Sequence, residues 1–339
     1  MRKSAIILLG ALTLALADCP ARAQAADTPV SQPYTRIANP DTNTVELQIA
    51  LRKFVPAQNA GPAIWLAAVM HVGEPAYYHA LQHFLDGQTV VLYEGIDPDS
   101  HPHHVHDSPD GSTSAAPRTV MKDDSSMQST LARSLGLVFQ LNAIDYDRTN
   151  FLNSDLSVLQ IQRIMAEGWA PRPPGQKGET DASLDVLLQI MDGSSFLGSL
   201  FKIGLQFIAA SPQLQAVAKL TLIEAVGELK GDLSDIQGLP PEWKKLIKVL
   251  IEARNQNVLV DLIAELKKVP SSGSIAVFYG VGHMDDMEKH ITGDLHYRPA
   301  GELWFSAFSV DLRKSGISPS EAQWMRQLIQ GQMDQMRGH

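Results

Sequence analysis

Cysteine is nearly absent from this chain. Cys19 alone occurs in 339 residues, which excludes a disulfide framework and any zinc or iron–sulfur site built on paired cysteines. Basic residues are scarce as well. Lys and Arg number 28 against 37 Asp and Glu, a formal net charge of −9. That balance lacks the basic footprint of a nucleic-acid binder, and it lacks a polybasic membrane patch. Familiar catalytic signatures are missing too: no GxSxG elbow, no GxxxxGK[ST] loop, no HExxH, and no GxGxxG after a strand. What the chain does have is 44% hydrophobic and 19% charged residues, enough to bury a core and unlike a disordered or collagen-like sequence.

The N-terminus carries Arg2 and Lys3 before an apolar run over 5–17, followed by Ala21-Arg22-Ala23 and Ala23-Gln24-Ala25. The run is well short of the roughly 20 residues of a spanning helix. A positive start, a short apolar stretch and an A-x-A site together predict a signal peptide over 1–25. An acidic residue, Asp18, directly before Cys19 fits a lipoprotein signal poorly. Cleavage after Ala25 would remove the cysteine and leave an exported, acidic chain. The expectation is one domain over 26–339, periplasmic or secreted, without a membrane-spanning segment.

Residues 45–54 suit either a strand or a short helix. The apolar run 63–72 reads as a buried strand. Pro75 then opens an amphipathic helix over 75–85, and 89–93 forms a second buried strand ending at Glu94. Strand, helix and strand in about 30 residues is a βαβ unit, which predicts two parallel neighbours. Residues 97–126 are rich in Pro, Ser and Asp and include His101, His103, His104 and His106. They read as a long flexible loop, able to bind metal weakly but peripheral to any catalysis. A helix to about Leu135, a strand over 137–146, a helix over 155–167 and a Pro-rich break over 169–177 follow. From 183 to 268 helix formers dominate, including a long helix over 242–268. Residues 274–279 are a buried strand ending in Gly280-Val281-Gly282-His283, 302–312 is strand-like, and 318–336 closes as a helix with Ser318 and Ser320 as candidate caps. The fold class is therefore α/β, a central mixed or mostly parallel sheet with flanking helices and a large helical insertion.

Three apolar strands thus end in His71, Glu94 and His283. Ligands in open α/β sheets sit at the C-terminal strand edge. Two imidazoles and a carboxylate suit Zn, Mn or a similar divalent ion with one open position, whose bound water would supply a nucleophile. Each residue alone is more often a hydrogen-bonded structural residue than a carrier of chemistry. The joint pattern says more, because a carboxylate at the end of an apolar strand is costly unless something positive meets it. Arg254, beside the apolar stripe of the long helix, is either aimed along the helix at Glu94 or a substrate carboxylate, or solvated on an exposed face.

At these residues the sequence resembles the TraB/GumN-type family, whose animal relatives include the Tiki metalloproteases and whose distant kin include ChaN-like and erythromycin-esterase-like proteins. The stretches that carry it are AVMHVGEPAYYHALQHFLDGQTVVLYEG over 68–95, QLNAIDYDRTNFLNSDLS over 140–157, and GVGHMDD over 280–286, with Ala253-Arg254-Asn255 similar to a Glu-Arg-Asn/Asp signature. The resemblance spans about 63–291. It implies that His71, Glu94 and His283 hold or serve a divalent metal, and that Arg254 and Asn255 reach the same cleft. Two positions depart from the pattern. Ala68 stands where the family has glycine, and Ala253 replaces the signature glutamate.

The function expected from this is an exported metal-dependent hydrolase acting on peptides. His71 and His283 would bind Zn, Mn or Co, Glu94 would be third ligand or general base, and Arg254 and Asn255 would orient a peptide or small-molecule substrate. The rival expectations are a non-catalytic periplasmic binding or interaction protein, and a metal or haem-iron handling protein. The sequence leaves the oligomeric state open.

Overall fold

A computed structural model of the chain describes residues 33–58, 60–95, 127–157, 160, 161, 163, 164, 205–227 and 241–337. The expected signal peptide over 1–25, the histidine loop, and the parts of the expected helical insertion at 183–204 and 228–240 lie outside the described residues, as does the Pro-rich break.

A seven-stranded mixed sheet forms the centre, flanked by helices, as an α/β protein should be. Its parallel half consists of β3 (Ala63–Val69), β8 (Ser274–Gly280), β5 (Val90–Tyr93) and β7 (Phe151–Asn153), hydrogen-bonded in that order. The antiparallel half is built on β2 (Thr44–Pro56), which pairs with β3, with β1 (Thr35–Ala38) and, along its whole length, with β9 (Tyr297–Asp311). The segment 45–54, compatible with helix or strand by sequence, is strand because β3 and β9 bracket it. Its Leu47, Ile49, Leu51 and Phe54 are all fully buried, each such side chain contributing roughly 1.5–3 kcal/mol.

Two expectations are corrected. Strands β3 and β5, linked by helix α1 (Pro75–Asp86), are parallel but not neighbours, because β8 inserts between them. A crossover helix fixes direction and hand, not adjacency. The later strand, SIAVFYG, is apolar on both faces and takes the position with cover on both sides. The segment 137–146 is not a strand of this sheet either. Only Val138–Phe139 is extended, as β6, and it pairs with β4 (Val72–Gly73) in a separate two-stranded ribbon. A single helical turn, α3 (Gln140–Ala143), follows it. The polar Gln140 is only 2% exposed, and its side chain is taken up by the site below instead of by a strand face.

Boundaries shift elsewhere for local reasons. Strand β3 stops at Val69, since Met70 and His71 bend away before β4. The predicted helix from 155 is not helical over Asp155–Ser157. Helix α2 spans Met127–Ser134, and α4 (Pro212–Gly227) and α5 (Pro241–Leu266) are the described part of the helical middle. A 3-10 turn (Val281–His283) leads into α6 (Met284–Gly293). Helix α7 (Pro319–Arg337) closes the fold and packs on α4, where Arg326 Nε sits 2.9 Å from the buried Glu224 carboxylate. No described helix is long and apolar enough to cross a membrane.

Candidate functional site

The strands β3, β8 and β5 are adjacent and parallel, so their C-terminal ends lie on one edge. The three residues singled out by the sequence lie one to three residues past these ends. His71 is aimed by two buried tyrosines of α1: the Tyr78 hydroxyl donates to the Met70 carbonyl at 2.7 Å, and the Met70 N–H donates to the Tyr77 hydroxyl at 3.3 Å. Pro75 at the first helical position starts that helix, so the turn after β3 is short. Glu94 continues the β5 ladder through its own N–H, which donates to the Phe278 carbonyl at 3.0 Å. His283 closes the 3-10 turn after β8, and its ring meets Tyr279 edge-on at 5.4 Å.

The residues converge around Glu94. Its Oε2 accepts the Gly280 N–H at 2.6 Å, and its Oε1 accepts from Arg254 Nη2 at 2.6 Å. His283 Nε2 is 3.8 Å from Oε1 and 3.4 Å from Arg254 Nη1. Glycine at 280 is a requirement of space here. A Cβ at that position would lie 3.1 Å from Glu94 Oε2 and 3.4 Å from His71 Nε2, so the carboxylate and the His71 imidazole approach one another over bare backbone. Ala68, by contrast, is wholly buried in β3 opposite Tyr279, and Ala253 is buried in α5; both methyls are absorbed by packing.

Arg254 is not solvated. Its guanidinium forks onto Asp155, Nε to Oδ1 at 2.8 Å and Nη2 to Oδ2 at 2.6 Å, while Nη2 also holds Glu94. Asn255, fully buried beside it, accepts at 2.7 Å from His283 Nδ1 and donates through Nδ2 to Asp286 Oδ2 at 2.8 Å and to the His283 carbonyl at 3.3 Å. Both ends of this amide are therefore assigned by chemistry: two acceptor-only oxygens fix the Nδ2 end, so His283 carries its proton on Nδ1 and leaves Nε2 bare. His71 has a parallel arrangement. Its Nδ1 is 2.9 Å from Gln140 Oε1, and Gln140 Nε2 is 2.8 Å from the Tyr146 hydroxyl.

Charge is tightly held. Burial pushes the Glu94 carboxyl up, but Arg254, His283, His71 and the Gly280 N–H outweigh it and hold it far below the usual carboxylate range. Burial pushes the His283 imidazole down, and Arg254 works in the same direction against Glu94, which favours the neutral ring. For Arg254, burial opposes charge, yet Glu94 and Asp155 raise its basicity further. The site is an anionic carboxylate, a permanent cation, and a neutral imidazole with a bare nitrogen.

As donors, His71 Nε2, His283 Nε2 and a Glu94 oxygen match what Zn, Mn or Co accept, and imidazoles whose Nδ1 is held by an amide oxygen follow the outer-sphere pattern of metal-ligating histidine. Among the described residues, no three His, Cys, Asp or Glu side chains are closed around a common point; the cation between Glu94 and His283 is the Arg254 guanidinium. Compared with protein-family models, curated proteins and solved structures, the chain gives no match.

Sequence reasoning named five residues that the fold brings together: His71, Glu94, Arg254, Asn255 and His283. It missed Asp155, Gln140, Tyr146 and Asp286. Asp155 had a usable signal. It stands two residues past β7, at the same sheet edge as Glu94, and was passed over because the third strand was placed at 137–146. The histidine loop, 101–106, falls outside the described residues.

Proposed function

We propose that the chain is an exported metal-dependent hydrolase acting on peptides, in the manner implied by its TraB/GumN resemblance. The observation that carries this is the approach of two imidazoles to one largely buried carboxylate, His71 beside it over Gly280 and His283 Nε2 3.8 Å from Oε1. His71, Glu94 and His283 would hold one Zn, Mn or Co ion. That ion, when bound, supplies a Lewis acid. Glu94 acts as a ligand and as the anchor for Arg254. Its lowered basicity, held down by Arg254, makes it a poor acceptor for a proton near neutral pH, which favours the ligand role over that of general base. Arg254 presents Nη1 to a substrate carbonyl or carboxylate and favours an oxyanion as it develops. Asn255 keeps His283 in position. Export rests on the sequence over 1–25.

A second reading has its own observation. Arg254 already pairs with Glu94 and Asp155 and lies against His283 Nε2, so the chain supplies a cation where a metal would sit. A non-catalytic binding or interaction protein would look like this, and a metal or haem-iron carrier is a third form of the same site.

Metal content decides among them. The purified mature chain should bind about one equivalent of Zn, Mn or Co, and His71→Ala and His283→Ala should each weaken that binding at least 10–100-fold, the loss typical of an outer-sphere partner. Glu94→Gln should lose metal together with activity. No metal uptake and no cleavage of a peptide library with these ions added would sink the hydrolase and favour the non-catalytic binding protein.

A further inference from the structure

The two imidazoles are held by amides of different character. Asn255 cannot turn round: its Nδ2 faces the Asp286 carboxylate at 2.8 Å and the His283 carbonyl at 3.3 Å, neither of which can donate. A flipped amide would set a carbonyl against two oxygens and its NH₂ against the Nδ1–H. Gln140 stands differently. One end meets an imidazole nitrogen at 2.9 Å and the other meets the Tyr146 hydroxyl at 2.8 Å. Both neighbours can donate or accept, so the amide is satisfied either way round. Turned one way, Gln140 Oε1 accepts from His71 Nδ1–H and Tyr146 accepts from the NH₂. Turned the other way, the NH₂ donates to a bare Nδ1 and the Tyr146 hydroxyl donates to Oε1. The number of hydrogen bonds is unchanged, no proton is gained or lost overall, and the His71 proton moves from one ring nitrogen to the other through solvent, to which His71 is exposed.

We infer that Gln140, backed by Tyr146, is a reversible positioning residue for His71, whereas Asp286 acts through Asn255 to keep His283 in a single tautomer. The inference rests on the proposed function for its use. With Nε2 bare, His71 is a ligand for a cation. With Nε2 protonated, it is a hydrogen-bond donor to a substrate oxygen. His283 offers only the bare nitrogen. The edge of the site facing solvent is thus the adjustable one, and the buried edge, where His283 is 7% exposed, is fixed. Gln140 is itself buried and tied by its backbone N–H to the His71 carbonyl at 2.8 Å, so the side chain turns without the turn of chain that carries it.

The test is nitrogen-15 NMR of histidine-labelled, metal-free full chain, which reads the protonated ring nitrogen directly and does not depend on metal binding. His283 should show Nδ1–H alone. In Gln140→Glu, a carboxylate that only accepts should hold His71 with Nδ1–H, and in Gln140→Met the lost acceptor should shift His71 towards Nε2–H. Opposite shifts in the two variants, with His283 unmoved, support the inference. A His71 population that is the same in the wild type and both variants overturns it, as does any Nε2–H signal from His283. If the shifts occur and no metal binds, the positioning role stands and the hydrolase reading falls.

Discussion

Arg254 and Asp155 are joined by two parallel hydrogen bonds, 2.8 and 2.6 Å long, with the Asp155 side chain fully buried. The fork aligns the guanidinium so that its remaining N–H groups fall on Glu94 and His283. A planar guanidinium spreads its donors over three nitrogens in a rigid fork that spans these partners, whereas an ammonium carries all its donors on one nitrogen.

Removing that cation should therefore be felt throughout the site. Arg254→Ala leaves two buried carboxylates unpaired, and a broken buried pair typically costs about 3–5 kcal/mol. Arg254→Lys should recover part of the stability but not the activity, since one point charge cannot span Asp155 and Glu94. Urea unfolding of the three proteins measures this, and a change below about 1 kcal/mol in the alanine variant would contradict the geometry.

Gly280→Ala separates site from fold. The backbone at 280 is ordinary, φ −52°, so the residue is not needed for conformation. The new methyl must instead displace Glu94 Oε2 at 3.1 Å or His71 Nε2 at 3.4 Å. The variant should fold with a nearly unchanged circular dichroism spectrum and bind Zn at least tenfold more weakly by calorimetry, by analogy with loss of an outer-sphere partner. Unaltered affinity would show that the three side chains do not act together.

The buried tyrosines set an alkaline limit. Burial raises the phenols of Tyr34 and Tyr78 well above their ordinary 10.0, with Glu288 adding to the effect at Tyr34. Tyr77 is raised by burial too. The native state keeps protons that the unfolded chain releases, so this stability is complete below about pH 10 and is lost as pH rises beyond it. Phenolate absorbance from these residues should appear only together with loss of secondary structure. A gradual rise in a still folded protein would count against their burial.

A change far from the site provides contrast. Ser318 Oγ accepts from the Glu321 N–H at 3.2 Å, and Glu321 Oε2 accepts from the Ser318 N–H at 2.7 Å, a reciprocal cap on α7. Ser318→Ala should cost about 1 kcal/mol in thermal or urea unfolding and leave metal binding and Gln140 behaviour untouched. A changed metal affinity in this variant would tie the closing helix to the site.

Much of this was readable in advance, for physical reasons that differ by element. Ala63–Val69 and Ser274–Gly280 are apolar on both faces and announce buried parallel strands whatever surrounds them. Pro75 and Ser318 mark helix starts because their chemistry acts within one turn. The pairing of strands was not readable. Nothing in 75–86 says that β8 will enter between β3 and β5, since that choice depends on covering a strand made more than 180 residues later in the chain. The segment 137–146 misled because its alternation of apolar and polar residues resembles a strand face, while Gln140 is buried for the sake of His71.

The site divides in the same way. Residue type and place at a strand end were enough to single out His71, Glu94 and His283, because a polar group ending an apolar strand must be met by something. Which groups meet them was decided by tertiary structure alone. Asp155 finds Arg254 across 99 residues of chain and Gln140 finds His71 across 69, and directional hydrogen bonds of under 3 Å depend on atomic placement that no spacing in the sequence encodes.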